Sequence, residues 1–228
     1  MGTGYNPRIV TENLVFCVDA ANIRSYPKTG TTWSDLKGGN NGTLTNMDAA
    51  NFSSDNGGGL VFDGANEFIE FNSAFTLSSL GISGSDPITL SCDFKITHLA
   101  QSMLLSFYNA PRCYIETFVQ NSDLVVHWGF GSYNNSATST CIIQQGYVYN
   151  FTTTYDGSTA KGYLNGTLKD TDNIGSISYN NNNLRIGKYT DGYSLLHEGT
   201  IYNCKIYDRA LTADEIRQNY LATKERYA

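Results

Sequence analysis

Residues 147–167 read YVYNFTTTYDGSTAKGYLNGT. Asp156-Gly157 and Asn165-Gly166 interrupt runs rich in aromatic and β-branched residues, and glycine tolerates the left-handed angles that a tight hairpin turn needs. The stretch therefore predicts three antiparallel strands in a meander. The same habit recurs along the chain. Strand-like runs occupy 14–18, 59–62, 67–71, 88–96, 103–107, 113–119, 124–128, 141–143, 184–187 and 200–207, with an Asp63-Gly64 turn joining the second to the third. Many short strands separated by turn residues predict a sandwich or barrel. No period of 20–50 residues marks a propeller or solenoid.

Composition agrees with this reading. The 228 residues include 16 tyrosines and 22 glycines and are 13% aromatic; aromatic side chains fit a pleated, half-buried surface, and glycine supplies turns. Sandwiches of this length fold as one unit, so residues 1–13 are read as an N-terminal arm and 14–228 as one domain. A single helix is expected in 211–220, LTADEIRQNY, where Thr212 and Glu215 have capping-box spacing and Asp214 places negative charge at the positive end of the helix dipole.

Charge narrows the partners. A net charge of −6 with no basic stripe argues against nucleic acid and against anionic membrane surfaces, and no apolar run reaches the roughly 20 residues a membrane helix needs. The five cysteines, Cys17, Cys92, Cys113, Cys141 and Cys204, show no metal or redox spacing. They read as buried thiols acting as small hydrophobes, in keeping with folding in a reducing cytoplasm. The first ten residues, MGTGYNPRIV, lack the pattern of a secretory signal peptide. Lys95, Lys161, Lys169 and Lys205 are candidates for protecting exposed strand edges.

Four segments in order, 59–72, 155–167, 184–188 and 199–220, resemble the laminin G-like branch of the concanavalin A-like lectin/glucanase superfamily, whose members often end in a strand reading IYxRALSxxEI followed by a helix; here the strand reads IYDRALTADEI. The resemblance implies an all-β, jelly-roll sandwich of two antiparallel sheets with one short C-terminal helix. Residues 13–46 are similar to the opening of proteins encoded by tailed phages. That similarity implies a non-enzymatic virion structural protein, a head-decoration, fibre or tail-associated component made in the host cytoplasm. Its partners would be other virion proteins and a host-surface glycan, and it would be a homo-oligomer, trimer ahead of dimer. The alternative reading is a stand-alone carbohydrate-binding lectin with a rim calcium, and behind it a glycoside hydrolase.

The candidate sites follow from chemistry. Glycosidases need two carboxylates about 5–9.5 Å apart, and the Glu-x-Asp-x-x-Glu strand used on this scaffold is missing; Glu67 with Glu70 and Asp170 with Asp172 are the nearest approximations. His98, His127 and His197 have no acid at useful spacing and read as structural. Rim loops of this fold often hold calcium, for which Asp19, Asp63, Asn66, Glu67 and Asp208 are candidate ligands; Asp63 and Asp208 equally read as turn formers. Sugar recognition uses aromatic faces with amides and carboxylates, which singles out Trp128, Tyr133, Tyr189, Asp191 and Tyr193, although aromatics in a sandwich also serve as core. Trp33 reads as an anchor for the N-terminal segment.

Overall fold

The computed structural model describes residues 7–98, 102–107, 112–120, 123–131, 141–177, 183–189 and 196–227. Among the described residues sixteen strands lie in chain order: β1 Leu14–Asp19, β2 Thr32–Trp33, β3 Gly42–Thr45, β4 Phe52–Ser53, β5 Gly59–Asp63, β6 Phe68–Phe71, β7 Ile88–Ile96, β8 Ser102–Phe107, β9 Arg112–Gln120, β10 Asp123–Gly131, β11 Cys141–Ile143, β12 Val148–Tyr155, β13 Thr159–Leu164, β14 Thr167–Asn173, β15 Leu184–Ile186 and β16 Glu198–Tyr207. They form two antiparallel sheets. The first runs β14-β13-β12-β7-β16-β5-β4, with β1 lying beside β16 as well; the second runs β11-β10-β9-β8-β15-β6-β3-β2.

The meander expected at 147–167 is β12-β13-β14. Phe151 pairs with Leu164 and Tyr155 with Ala160 across the first turn, where Asp156 Oδ1 accepts the backbone N–H groups of Ser158 and Thr159 at 3.0 and 2.8 Å. In the second turn Asn165 and Gly166 both take positive φ, 51° and 72°, as this two-residue hairpin requires.

Alternation along each strand puts one face into a shared core. Ile88, Leu90, Cys92, Phe94 and Ile96 of β7 meet Leu60 and Phe62 of β5, Ile69 and Phe71 of β6, and Leu184 and Ile186 of β15. Phe16, Phe71, Phe75 and Phe107 form a chain of ring contacts with centroids 5.2–6.5 Å apart. Burying each such side chain contributes about 1.5–3 kcal/mol. Trp33 is fully buried in this core.

The edge-protection reading of the lysines needs correction. Strand order puts β7, β13 and β16 inside the sheet, so of Lys95, Lys161, Lys169 and Lys205 the one on an edge strand is Lys169 of β14. Lys205 is 4% exposed. Cys17, Cys92, Cys141 and Cys204 are buried free thiols, and burial pushes the Cys17 pKa up to about 11.

The C-terminal helix α1 spans Ala213–Thr223. Thr212 Oγ1 accepts the Glu215 N–H while Glu215 reaches back to the Thr212 N–H at 2.9 Å, the reciprocal cap expected from the sequence. Ile216 and Leu211 pack with Leu14, Cys17, Tyr163 and Tyr207 on the outer face of the first sheet. Residues 8–10 join this contact: the Val10 N–H donates to Asn219 Oδ1 at 2.7 Å, and Gln218 donates to the Arg8 carbonyl at 2.7 Å.

Two outcomes are expected from this packing. Two hydrogen bonds from Arg209 at 2.8 and 2.7 Å lead the causes that hold the Glu215 pKa down at about 2. Because the folded pKa lies below the unfolded value, the stabilisation is complete above the unfolded pKa of about 4.5 and fades as pH falls toward 2. Glu215→Gln should lower stability by about 1 kcal/mol at pH 7 and by nearly nothing at pH 2, checked by denaturant unfolding across that range. Gly199 has φ 151°, and a Cβ there would lie 2.0 Å from the Lys95 carbonyl oxygen. Gly199→Ala should cost more than about 2 kcal/mol, read in the same assay.

Candidate functional site

The outer face of the second sheet carries one polar row. Leu44, Ile69, Leu105, Phe107, Leu184 and Ile186 all point into the core, so strand alternation turns their neighbours outward. Cross-strand pairing then aligns those neighbours: Thr43 opposite Glu70, Glu70 opposite Arg185, Arg185 opposite Ser106, and Ser106 opposite Tyr114. Five strands thus contribute hydroxyl, carboxylate, guanidinium, hydroxyl and phenol in sequence, and the row continues to Gly129, opposite Tyr114.

Exposure grades along the row. Thr43 and Glu70 are exposed and Arg185 is half-buried, while Ser106 and Tyr114 are buried. Arg185 Nη2 lies 3.6 Å from Glu70 Oε1. Ser106 Oγ donates to the Lys188 carbonyl at 3.2 Å, and the Lys188 ammonium sits 4.0 Å from the Phe68 ring centre, a cation–π contact. A guanidinium beside a carboxylate offers donors and acceptors side by side.

The sequence candidates for sugar recognition divide around this row. Tyr189 follows Lys188 directly and is half-buried. Trp128 lies on β10 paired with Ile115, a fully buried core residue, one position away from the Gly129 that the row reaches. Tyr133, Asp191 and Tyr193 lie outside the described residues. Thr43, Arg185, Ser106 and Tyr114 were missed, and Glu70 was read only beside Glu67 as an approximate carboxylate pair, because singly each is an unremarkable strand residue; only register brings them together.

The five calcium candidates do not form one donor set. Asp63 pairs with Glu198 at the start of β16, Asp19 with Asn203 midway, and Asp208 follows Tyr207 at the far end. A ten-residue strand places its ends about 30 Å apart, whereas calcium bonds are about 2.3–2.6 Å. Asp19 is ion-paired to Arg226, with oxygens 2.9 and 3.1 Å from its two terminal nitrogens. Asp63, Asn66 and Glu67 do meet at the β5–β6 turn, but to close it. Asp63 Oδ1 accepts the Ala65 N–H at 2.8 Å, Glu67 accepts the Asp63 N–H and the Asn51 amide at 2.7 Å each, and the Asn66 carbonyl accepts from Asn46. Among the described residues no group of three His, Cys, Asp or Glu stands together as a metal site.

Of the histidines, His98 is exposed 3.6 Å from Glu198, and the side chain of His127 lies outside the described residues. His197 is fully buried with Nδ1 2.7 Å from Ser102 Oγ. Burial, opposed weakly by the Thr200 backbone, drives its pKa down to about 3.

A second polar cluster, also unread in the sequence, lies on the outer face of the first sheet. Register aligns Asp19, Asn203, Asp93 and Asn150 in one row and Cys17, Lys205, Ser91 and Thr152 in another. Asp93 is fully buried and accepts from Asn150, from Asn203 at 2.6 Å and from the Tyr227 hydroxyl at 2.7 Å. Asp93 and Lys205 stand at alternate positions of ITLSCDFKI and IYNCKIY, the pattern of a solvated face, yet residues 224–227 cover part of it.

NMR should show the His197 ring signals unmoved between pH 8 and pH 5, as its lowered pKa of about 3 requires. A shift of His197 near pH 6.5 would mean that it is open to water.

Comparison with known proteins places the whole architecture. No curated protein matches in sequence. A sialidase variant from Trypanosoma rangeli displaying trans-sialidase activity is similar over 96% of this chain and 34% of its own, at 17% identity and TM-score 0.69. Domain 4 of an extracellular arabinanase from Geobacillus stearothermophilus, solved with arabinotriose, is similar over 92% of this chain and 98% of its own, at 18% identity and TM-score 0.68. A botulinum neurotoxin serotype D binding domain is similar over 92% of this chain and 50% of its own, at 13% identity and TM-score 0.58. The chain spans about a third of the sialidase.

These likenesses overturn the expectation of a virion structural protein: the similar folds belong to a sialidase, an arabinanase domain and a neurotoxin domain, and the likeness of residues 13–46 to phage proteins finds no counterpart among them. The fold itself serves both lectins and glucanases. The Laminin_G_3 family matches residues 63–217, more than half of the sequence, and the chain therefore belongs to the concanavalin A-like lectin/glucanases superfamily.

Proposed function

We propose that this chain is a non-catalytic carbohydrate-binding module and that the outer face of the second sheet receives the glycan. The observation that carries this reading is the accessible end of the row, exposed Thr43 and Glu70 and half-buried Arg185, with an ion pair between the last two and buried Ser106 and Tyr114 continuing the row behind them. A sugar ring needs paired donors and acceptors on a rigid support, and strands hold side chains more firmly than loops do. The solved arabinanase domain supports the reading, since it carries arabinotriose on a fold that matches nearly all of that domain.

Hydrolysis fits the row less well. Glycosidases place two carboxylates on either side of the scissile bond, whereas Glu70 is the one carboxylate among the described side chains of this row and it faces Arg185. The arrangement holds a ligand; it does not supply an acid and a base.

A glycan array carrying arabino- and sialyl-oligosaccharides, followed by calorimetry on the best hit, tests the proposal. Binding without turnover is expected, with Arg185→Ala weakening it more than about tenfold through loss of a charge-assisted contact and leaving the unfolding transition within a few degrees of the parent. Product release from the glycan would overturn the non-catalytic reading, and undiminished affinity in Arg185→Ala would move the site elsewhere.

A further inference from the structure

A cavity of about 540 Å³ opens on the outer face of the first sheet, between residues 7–11 and the end of α1, away from the polar row of the second sheet. Ile9, Leu36 and Ala222 form apolar wall, and Arg8, Lys205 and Arg226 bring three cations to it. Asp19 is the carboxylate lining the cavity, and both of its oxygens are engaged by Arg226. Neither Arg8 nor Lys205 makes a direct ion pair with a carboxylate among the described residues, although Asp93 lies near enough to Lys205 to favour its charged form.

Lys205 is the unusual member. It is 4% exposed on β16 between Cys17 of β1 and Ser91 of β7, and among the described residues Asn203 Oδ1 is the one acceptor on its ammonium. An ammonium has three donors, and buried donors left unmet are costly. Asp93, on the adjoining strand, is close enough to favour the charged form against the penalty of burial, but its oxygens are taken by Asn150, Asn203 and Tyr227. Lys205 is therefore a buried cation with one side-chain acceptor on its ammonium among the described residues, and it lines the cavity. Ligand pockets commonly measure about 300–1,000 Å³, so the space suits one ring-sized molecule.

We propose that this cavity binds a monosaccharide-sized carboxylate, its anionic group meeting Lys205 and Arg8 and its apolar edge lying on Ile9, Leu36 and Ala222. A carboxylate offers two acceptors to a buried ammonium and neutralises the excess charge, which a neutral sugar cannot do. The site stands independently of the glycan face on the second sheet.

Glucuronate and glucose differ in one carboxylate, which makes them the probes. Calorimetry and thermal unfolding of the full chain should show saturable binding and a raised Tm with glucuronate and neither with glucose. Arg8→Ala, an exposed change that leaves the fold intact, should weaken glucuronate about threefold, as loss of an exposed ion pair does. Lys205→Met should weaken it more than about tenfold, and Arg185→Ala should leave it unchanged. Absence of saturable binding, equal binding of glucose, or full affinity in Arg8→Ala would overturn the proposal. Should Lys205→Met not fold, the Arg8→Ala result decides alone.

Discussion

The pairing of β7 with β16 is the constraint on which the rest of this structure depends. The two strands run antiparallel from Gly199 opposite Ile96 to Tyr207 opposite Thr89 and occupy the middle of the first sheet. Their inward side chains, Leu90, Cys92, Phe94, Cys204 and Ile206, are wholly buried and form the floor on which the second sheet packs. Cys92 and Cys204 are direct partners, with sulfurs 3.7 Å apart. β5 and β1 then pair along successive halves of β16, β12 pairs with β7, and every other strand is placed from there.

The outward side chains of the same pair are buried as well, which is less usual for an antiparallel sheet. Asp93, Asn203 and Lys205 are covered where the N-terminal residues and the C-terminal helix meet over them. Polar groups in that position need partners, and the register provides them in two rows, so that Asp93 accepts from two amides and a phenol. The network ties segments distant in sequence to this face: Arg226 to Asp19, Tyr227 to Asp93, and Val10 to both Asn219 and Tyr207.

The two sheets therefore present different chemistry on their outer faces. The first is covered in part by residues 8–10, the C-terminal helix and residues 226–227, beside the cavity next to Lys205, and the second carries a polar row whose exposed end is Thr43 and Glu70. A sandwich leaves its outer faces free to diverge while the core between them is held by apolar packing. That freedom is how one fold serves both lectins and glucanases, and why site geometry carries the functional argument here.

The amino-acid order by itself determined the strands other than the short β2, β3 and β4, the meander and its two turns, the capped helix, the superfamily and the buried state of four thiols. Those features rest on local rules: alternation with period two, glycine at positive φ, reciprocal capping, and an apolar thiol's preference for the core. Tertiary structure alone decided the sites. Asp19, Asp63 and Asp208 look alike in sequence but lie along the whole length of β16, and Asp19 meets Arg226, 207 residues away. Thr43, Glu70, Arg185, Ser106 and Tyr114 form a row because five strands distant in the chain pair in one register. Lys205 reads as a solvated edge residue and is buried because β16 is central. Strand order and register are set by how both sheets together cover the core, and no window of neighbouring residues contains that information.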